Sequence, residues 1–337
     1  MHMADALLSP AVGATMWATT AVALAASARR VRENGEDRLV PLMGVLGAFV
    51  FAAQMINFAI PATGSSGHIG GGLLLSILLG PAAAFVVIAS VLSVQALFFA
   101  DGGLLALGAN IFNLGVFPCF LAYPLVYRAI ARPGATGARV GVAAVLAAVF
   151  GLQLGALGVV MQTVASGISS LPAGPFLWLM LPVHLAIGVV EGLATAALVL
   201  FIRRARPDLV ERGVASAGKA SPIRPLATAL ALAAAVTGGV LPWFASAQPD
   251  GLEWSVERVA GGATVPAPEN GVHERLARLQ DRVAVMPDYE PPSGARTTGD
   301  APAWPAVNPG KSLAGLVGGF ATLLLVTLAA LALRHRR

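Results

Sequence analysis

Eight apolar runs, at 10–29, 40–60, 70–100, 104–127, 139–163, 176–202, 225–247 and 312–333, constrain this chain more than any other feature of it. Roughly 20 apolar residues in a helix cross the ~30 Å hydrocarbon layer of a bilayer. Inside that layer a backbone must satisfy its own hydrogen bonds, which leaves helices or a closed barrel. Runs of this length specify helices. Charge agrees: 12% of residues are charged, against about 25% in a soluble domain. The predicted fold is therefore all-α, a polytopic membrane helix bundle.

The run 70–100 is long for one helix and is interrupted by Gly80-Pro81. Proline removes a backbone donor and disfavours helix in the residue before it, so the run is predicted to turn there, as two crossings or a re-entrant pair. With that turn the positive charges segregate. The segments 29–39, 128–139, 203–224 and 334–337 hold sixteen of the 22 basic residues, whereas 61–69, 101–103 and 163–175 hold none. Basic loops stay cytoplasmic, so the reading places the N-terminus outside and the C-terminus inside. The remaining basic residues lie in an outer segment, 248–311. No Lys or Arg precedes the first run, whereas Arg29, Arg30, Arg32 and Arg38 follow it. That order is the reverse of a cleaved signal, and the first run is expected to be retained. The pI near 10.1 reflects these loops and not a nucleic-acid partner. The single cysteine, Cys119, excludes a disulfide framework or a cysteine metal site.

Two modules are expected: 1–205, with short loops; a cytoplasmic linker, 206–224; and 225–337, where spans 225–247 and 312–333 flank the outer segment. Helical potential is seen at 272–283, followed by Pro-rich sequence.

Five histidines are present. The topology puts the α-amine, His2 and His68 on one side. An α-amine, the next amide nitrogen and the imidazole of residue 2 can chelate one ion, and His68 would supply a fourth nitrogen. Such planar nitrogen sets favour Ni(II) or Cu(II), and imidazole also suits cobalt or zinc. The plainer alternative is a frayed terminus and an ordinary loop histidine. His184 and Glu191, seven residues apart, share one face of a helix; ionisable groups in a span face the bundle or a polar cavity, for structure or for transport chemistry. The same choice applies to Asp101, Asn110 and Asn113. Gln54 and Asn57 approach the His68 loop and are candidates to orient a ligand. Gly44, Ala48 and Ala52 recur every four residues, which suits close contact with a partner subunit or internal packing. His273 and His335 read as solvated.

The stretches MHMADALLSP, FVFAAQMINFAIPATGSSGHIGGG, ALGANIFNLGV and HLAIGVVEGLAT resemble the CbiM/NikM family, the substrate-binding (S) components of energy-coupling factor transporters for cobalt and nickel. QPDGLEW at 248–254 resembles the PDGLE, or CbiN/NikN-type, accessory part, here fused. The resemblance implies a core of about seven spans plus two further helices, placed in the inner (cytoplasmic) membrane. It implies ligation of Co2+ or Ni2+ by the Met1 amine, the His2 amide and imidazole, and the His68 imidazole, with no cofactor. It also implies a transmembrane coupling (T) component and two ABC ATPase subunits as partners. Asp5-Ala6 departs from the family's usual Asp-Gly. The accessory arrangement leans towards cobalt. No phosphate-binding loop is present, so ATP hydrolysis belongs to partners. An intramembrane enzyme using His184 and Glu191, a free-standing channel or carrier, and a scaffold are the competing readings.

Overall fold

The structure, a computed structural model, describes residues 2–34, 40–206, 224–262, 265, 271–291 and 304–333. Met1, nearly all of the linker, and the tail 334–337 lie outside the described residues. The chain is an all-α polytopic membrane bundle with one small hairpin. A 3-10 turn, Asp5–Leu7, leads into α1 (Pro10–Asn34) and α2 (Val40–Gln54). The hairpin β1 (Phe58–Ile60) and β2 (Ser65–Gly67) pairs Phe58 with Gly67 and Ile60 with Ser65. Then come α3 (Gly72–Leu79), α4 (Pro81–Phe99), α5 (Leu107–Ile130), α6 (Gly137–Ser166) and α7 (Ala173–Ala205). The second module holds α8 (Arg224–Gly239), α9 (Gly251–Val259), α10 (Val272–Val283) and α11 (Pro309–Ala332).

The break at Gly80-Pro81 is present, with Pro81 opening α4 and Gly80 at φ 83°. At eight residues α3 spans about 12 Å and cannot cross a bilayer alone; it is the short arm of a helical pair with α4. The run 40–60 is corrected at its end. Helix α2 stops at Gln54, and the chain enters the hairpin instead of continuing as a span. The helix expected over 272–283 is α10.

Helices α6 and α7 form the most extensive pairing in the bundle. Gly188 and Gly192 make it possible: a Cβ on either would lie 2.9 Å from Val149 Cα or 2.4 Å from Val145 Cα. In lipid, helix association rests on such close packing, because apolar burial against an apolar solvent contributes little. Polar pairs supplement it. Asn113 and Gln162 join α5 to α6 with two hydrogen bonds of 2.8 and 3.0 Å, worth about 1 kcal/mol each. Helix α5 is wound as a π-helix from Phe112 to Tyr127, a stretch that accommodates Pro118 and Pro124.

The small residues of α2 are covered by the second module. A Cβ on Gly44 would sit 2.4 Å from Thr327 Oγ1 of α11, Ala52 faces Gly238 of α8, and Ala48 and Ala52 are buried. Internal packing is what this stripe does here, so it offers no open face to a partner subunit. His273, read from the sequence as solvated, is corrected: it is buried, and its Nε2 donates to Leu8 O at 2.8 Å. Amphipathic α10 lies against α4, which draws that histidine inward.

Candidate metal centre

The N-terminal segment is fastened by polar groups before α1 begins. Met3, fully buried, donates its N–H to Asn110 Oδ1 at 2.7 Å; its carbonyl accepts from Asn110 Nδ2 at 3.2 Å and from Gly103 N at 3.0 Å. Asp5 Oδ1 accepts from Ala106 N at 2.9 Å. A Cβ at Gly103 would meet Asp5 Oδ1 at 1.8 Å, so only glycine allows this approach. The effect is to tuck His2 beneath the 99–106 loop.

His68 arrives from the other direction. After β2 the chain runs unwound through 68–71 into the bundle, where its amides have no helix to satisfy them. Glu191 of α7 does so: its carboxyl oxygens accept from Gly70 N at 2.8 Å and Gly71 N at 3.0 Å. Gln54 Nε2 donates to Gly70 O at 2.8 Å, and Gln95 Nε2 donates to Gln54 Oε1 at 2.8 Å. Each hydrogen bond of this sort is worth about 0.5–1.5 kcal/mol. Non-helical backbone at membrane depth survives only under such cover.

The two imidazoles meet. Their ring centroids are 5.2 Å apart with planes 29° from parallel. His68 Nδ1 donates to Ile69 O at 3.1 Å, which leaves Nε2 as the lone-pair nitrogen of the neutral ring. Burial disfavours the imidazolium and the neighbouring His2 adds to this, lowering the His68 pKa to about 3. His68 is therefore neutral at physiological pH. His2 Nδ1 lies 2.7 Å from Asp101 Oδ1; its Nε2 is buried without a hydrogen-bond partner among the described residues. Burial opposes ionisation of Asp101, yet His2 and the Tyr289 hydroxyl hold its pKa down to about 2.

The sequence candidates thus separate. His2 and His68 are together, and Gln54 and Glu191 brace the His68 loop. His184 sits nearby, its Nδ1 donating to Met180 O at 2.8 Å and its Nε2 buried with no hydrogen-bond partner among the described residues. It shares a small cavity with His68, Asp250 and Gly251. Asn57 contributes its carbonyl, which accepts from Ser246 N at 2.7 Å. Met1 falls outside the described residues. Among the described residues no three His, Cys, Asp or Glu side chains form a metal-sized cluster.

Three contributors were not assigned from the sequence. Asp101, ambiguous in sequence as a span-end residue, is the partner of His2. Asp250 caps α9, accepting from Leu252 N and Glu253 N, while Glu253 accepts from Asp250 N. This capping box is written in the D-G-L-E sequence. Its location is not: Ser66 N donates to Pro249 O at 2.8 Å and Ser66 Oγ to Gln248 O at 2.7 Å, docking the segment on β2 beside His68. Tyr289 has no local signature at all. Together the modules line an open cavity of about 590 Å³, with His2, His68, Asp101, Asp250, Glu253 and Tyr289 among its walls.

Comparison with known proteins follows the two modules. Residues 2–209 match the family described as the cobalt uptake substrate-specific transmembrane region, and residues 224–335 match the PDGLE domain. A putative fused nickel transport protein NikMN of Archaeoglobus fulgidus is 35% identical over 96% of this chain and 96% of its own length. The fused nickel transport protein NikMN of Rhodobacter capsulatus is 32% identical over 86% of this chain and 89% of its own. A crystal structure of a transition metal transporter superposes with a TM-score of 0.52 and 30% identity, covering 61% of this chain and 93% of that one. The chain belongs to the CbiM family of cobalt uptake transmembrane proteins and carries a fused PDGLE domain.

Proposed function

We propose that this protein is the metal-binding membrane component of an energy-coupling factor importer for Ni2+ or Co2+. It takes the ion from the outer side and hands it to a transmembrane coupling subunit driven by two ATPase subunits. The observation that carries the reading is the stacked His2–His68 pair inside a membrane bundle, with His68 held neutral by burial. The ligands are the Met1 amine, the His2 amide and imidazole, and the His68 imidazole; the ion is cargo and not a resident cofactor. Four nitrogens in a plane suit nickel, and the relatives that run the length of the chain are named nickel transport proteins. The names of these relatives move the balance from cobalt to nickel. The outward placement of the site rests on the basic residues at the opposite ends of the spans, such as Arg29, Arg30, Arg203 and Arg204.

One residue added before Met1 tests the ligand set, because it moves the free amine out of the chelate. Ni(II) titration of the purified, detergent-solubilised protein should show stoichiometric binding for the native terminus. For the extended one, affinity should fall at least 100-fold. Equal affinities would refute the proposed set.

A further inference from the structure

A residue-2 imidazole that chelates together with its own amide must use Nδ1. The ring closes through the ion, the amide nitrogen, Cα, Cβ, Cγ and Nδ1, and Nε2 points away from it. In the structure His2 Nδ1 faces elsewhere, 2.7 Å from Asp101 Oδ1.

Asp101 is itself held. Its backbone N–H donates to Gln95 O at 3.1 Å, and its second oxygen accepts from the Tyr289 hydroxyl. Tyr289 comes from the second module. Its ring stacks on Phe99 at 4.7 Å with planes 13° apart, and Met286 N donates to Phe98 O at 3.0 Å. Gln280 Nε2 bridges Ala96 O and Gly102 O, at 2.9 and 2.7 Å, across the same loop. On the other side His273 reaches Leu8 O, so the 271–291 segment grips both chain stretches that place His2. Asp288 and Tyr289 lie in the left-handed region at φ 53° and 60°, a conformation that non-glycine residues keep only when surroundings impose it.

We propose that Tyr289, acting through Asp101, is a positioning residue that holds His2 with Nδ1 turned from the ion, so that capture requires the His2–Asp101 contact to open. The proposal rests on the ligand set given above. It gives the outer segment of the PDGLE domain a defined target, the imidazole of His2. On capture the ring turns Nδ1 from Asp101 towards the ion.

Tyr289→Phe removes the hydroxyl and keeps the ring on Phe99. In the full-length protein, stopped-flow Ni(II) association should become about ten- to a hundredfold faster, the effect of losing one hydrogen bond to a charged group. A residue with a merely structural role would leave the rate unchanged or lower it, and either result overturns the latch. A second measurement does not need the variant to fold. Nitrogen-15 NMR of ring-labelled histidine in the metal-free wild type should show His2 protonated at Nδ1, then at Nε2 once diamagnetic Ni(II) is bound. Nδ1 unprotonated before metal addition would equally overturn it. If the chain extended before Met1 binds Ni(II) normally, the ligand set falls, and the latch with it. If extension abolishes binding while Tyr289→Phe is not faster, the latch alone falls.

Discussion

The two imidazoles of the site are neighbours, yet they are held by different parts of the molecule. His68 rides on a loop whose amides and carbonyl are taken by Glu191 and Gln54, with Gln95 behind, all within the first module. His2 sits in a segment held by Asn110 and Asp101, and the second module reaches it through Tyr289 and His273. A ligand fixed by buried bonds to one bundle cannot move without breaking that bundle. A ligand fixed through a docked domain moves when the domain does. On the proposed ligand set, the difference makes His68 the fixed side of the centre and His2 the adjustable one.

Substitutions at Glu191, at Gly251 and in the Gln54–Gln95 pair should break or sharpen this contrast. The largest effect is expected from Glu191→Ala, which strands two buried amides and costs about 3–5 kcal/mol. Thermal unfolding in detergent should shift well down and Ni(II) binding should be lost, with Glu191→Gln retaining part of both. Next is Gly251→Ala. Its Cβ would sit 2.5 Å from Val183 Cγ1 and 3.4 Å from His184 Cε1, an overpacking cost of about 1–3 kcal/mol. It should lift α9 from α7, loosening protease protection of the second module, while the unfolding of the first module changes little. The smallest effect belongs to Gln54→Leu, about 1–2 kcal/mol. Combined with Gln95→Leu it should cost less than the sum of the two singles, since the two side chains share one hydrogen-bonded chain.

Much of this was legible in the sequence because membrane physics acts locally. Run length marks helices, Gly80-Pro81 marks a break, and basic loops mark one face; these suffice to bring His2 and His68 to the same end. Glu191 was legible as a buried group with a task, because an ionisable residue in a span must have one. The task itself was not, because the amides it serves lie over 100 residues away. The end of α2 at Gln54 was hidden for a related reason. Residues 55–60 are as apolar as a span, and only pairing with Ser65–Gly67 makes them a strand. Asp250 announced its capping role in four residues, but its place beside His68 depends on docking between modules. His273 read as solvated for the same cause, since α10 shows its apolar side to α4 only once folded.

The Ser66–Pro249 contact that seats the PDGLE segment on β2 is made by few hydrogen bonds. The second module's firm hold lies elsewhere, where α8 and α11 pack against the small residues of α2. Binding there keeps the segment at high local concentration beside β2. A joint of a few hydrogen bonds can then come apart and re-form while the accessory part stays attached through its helices.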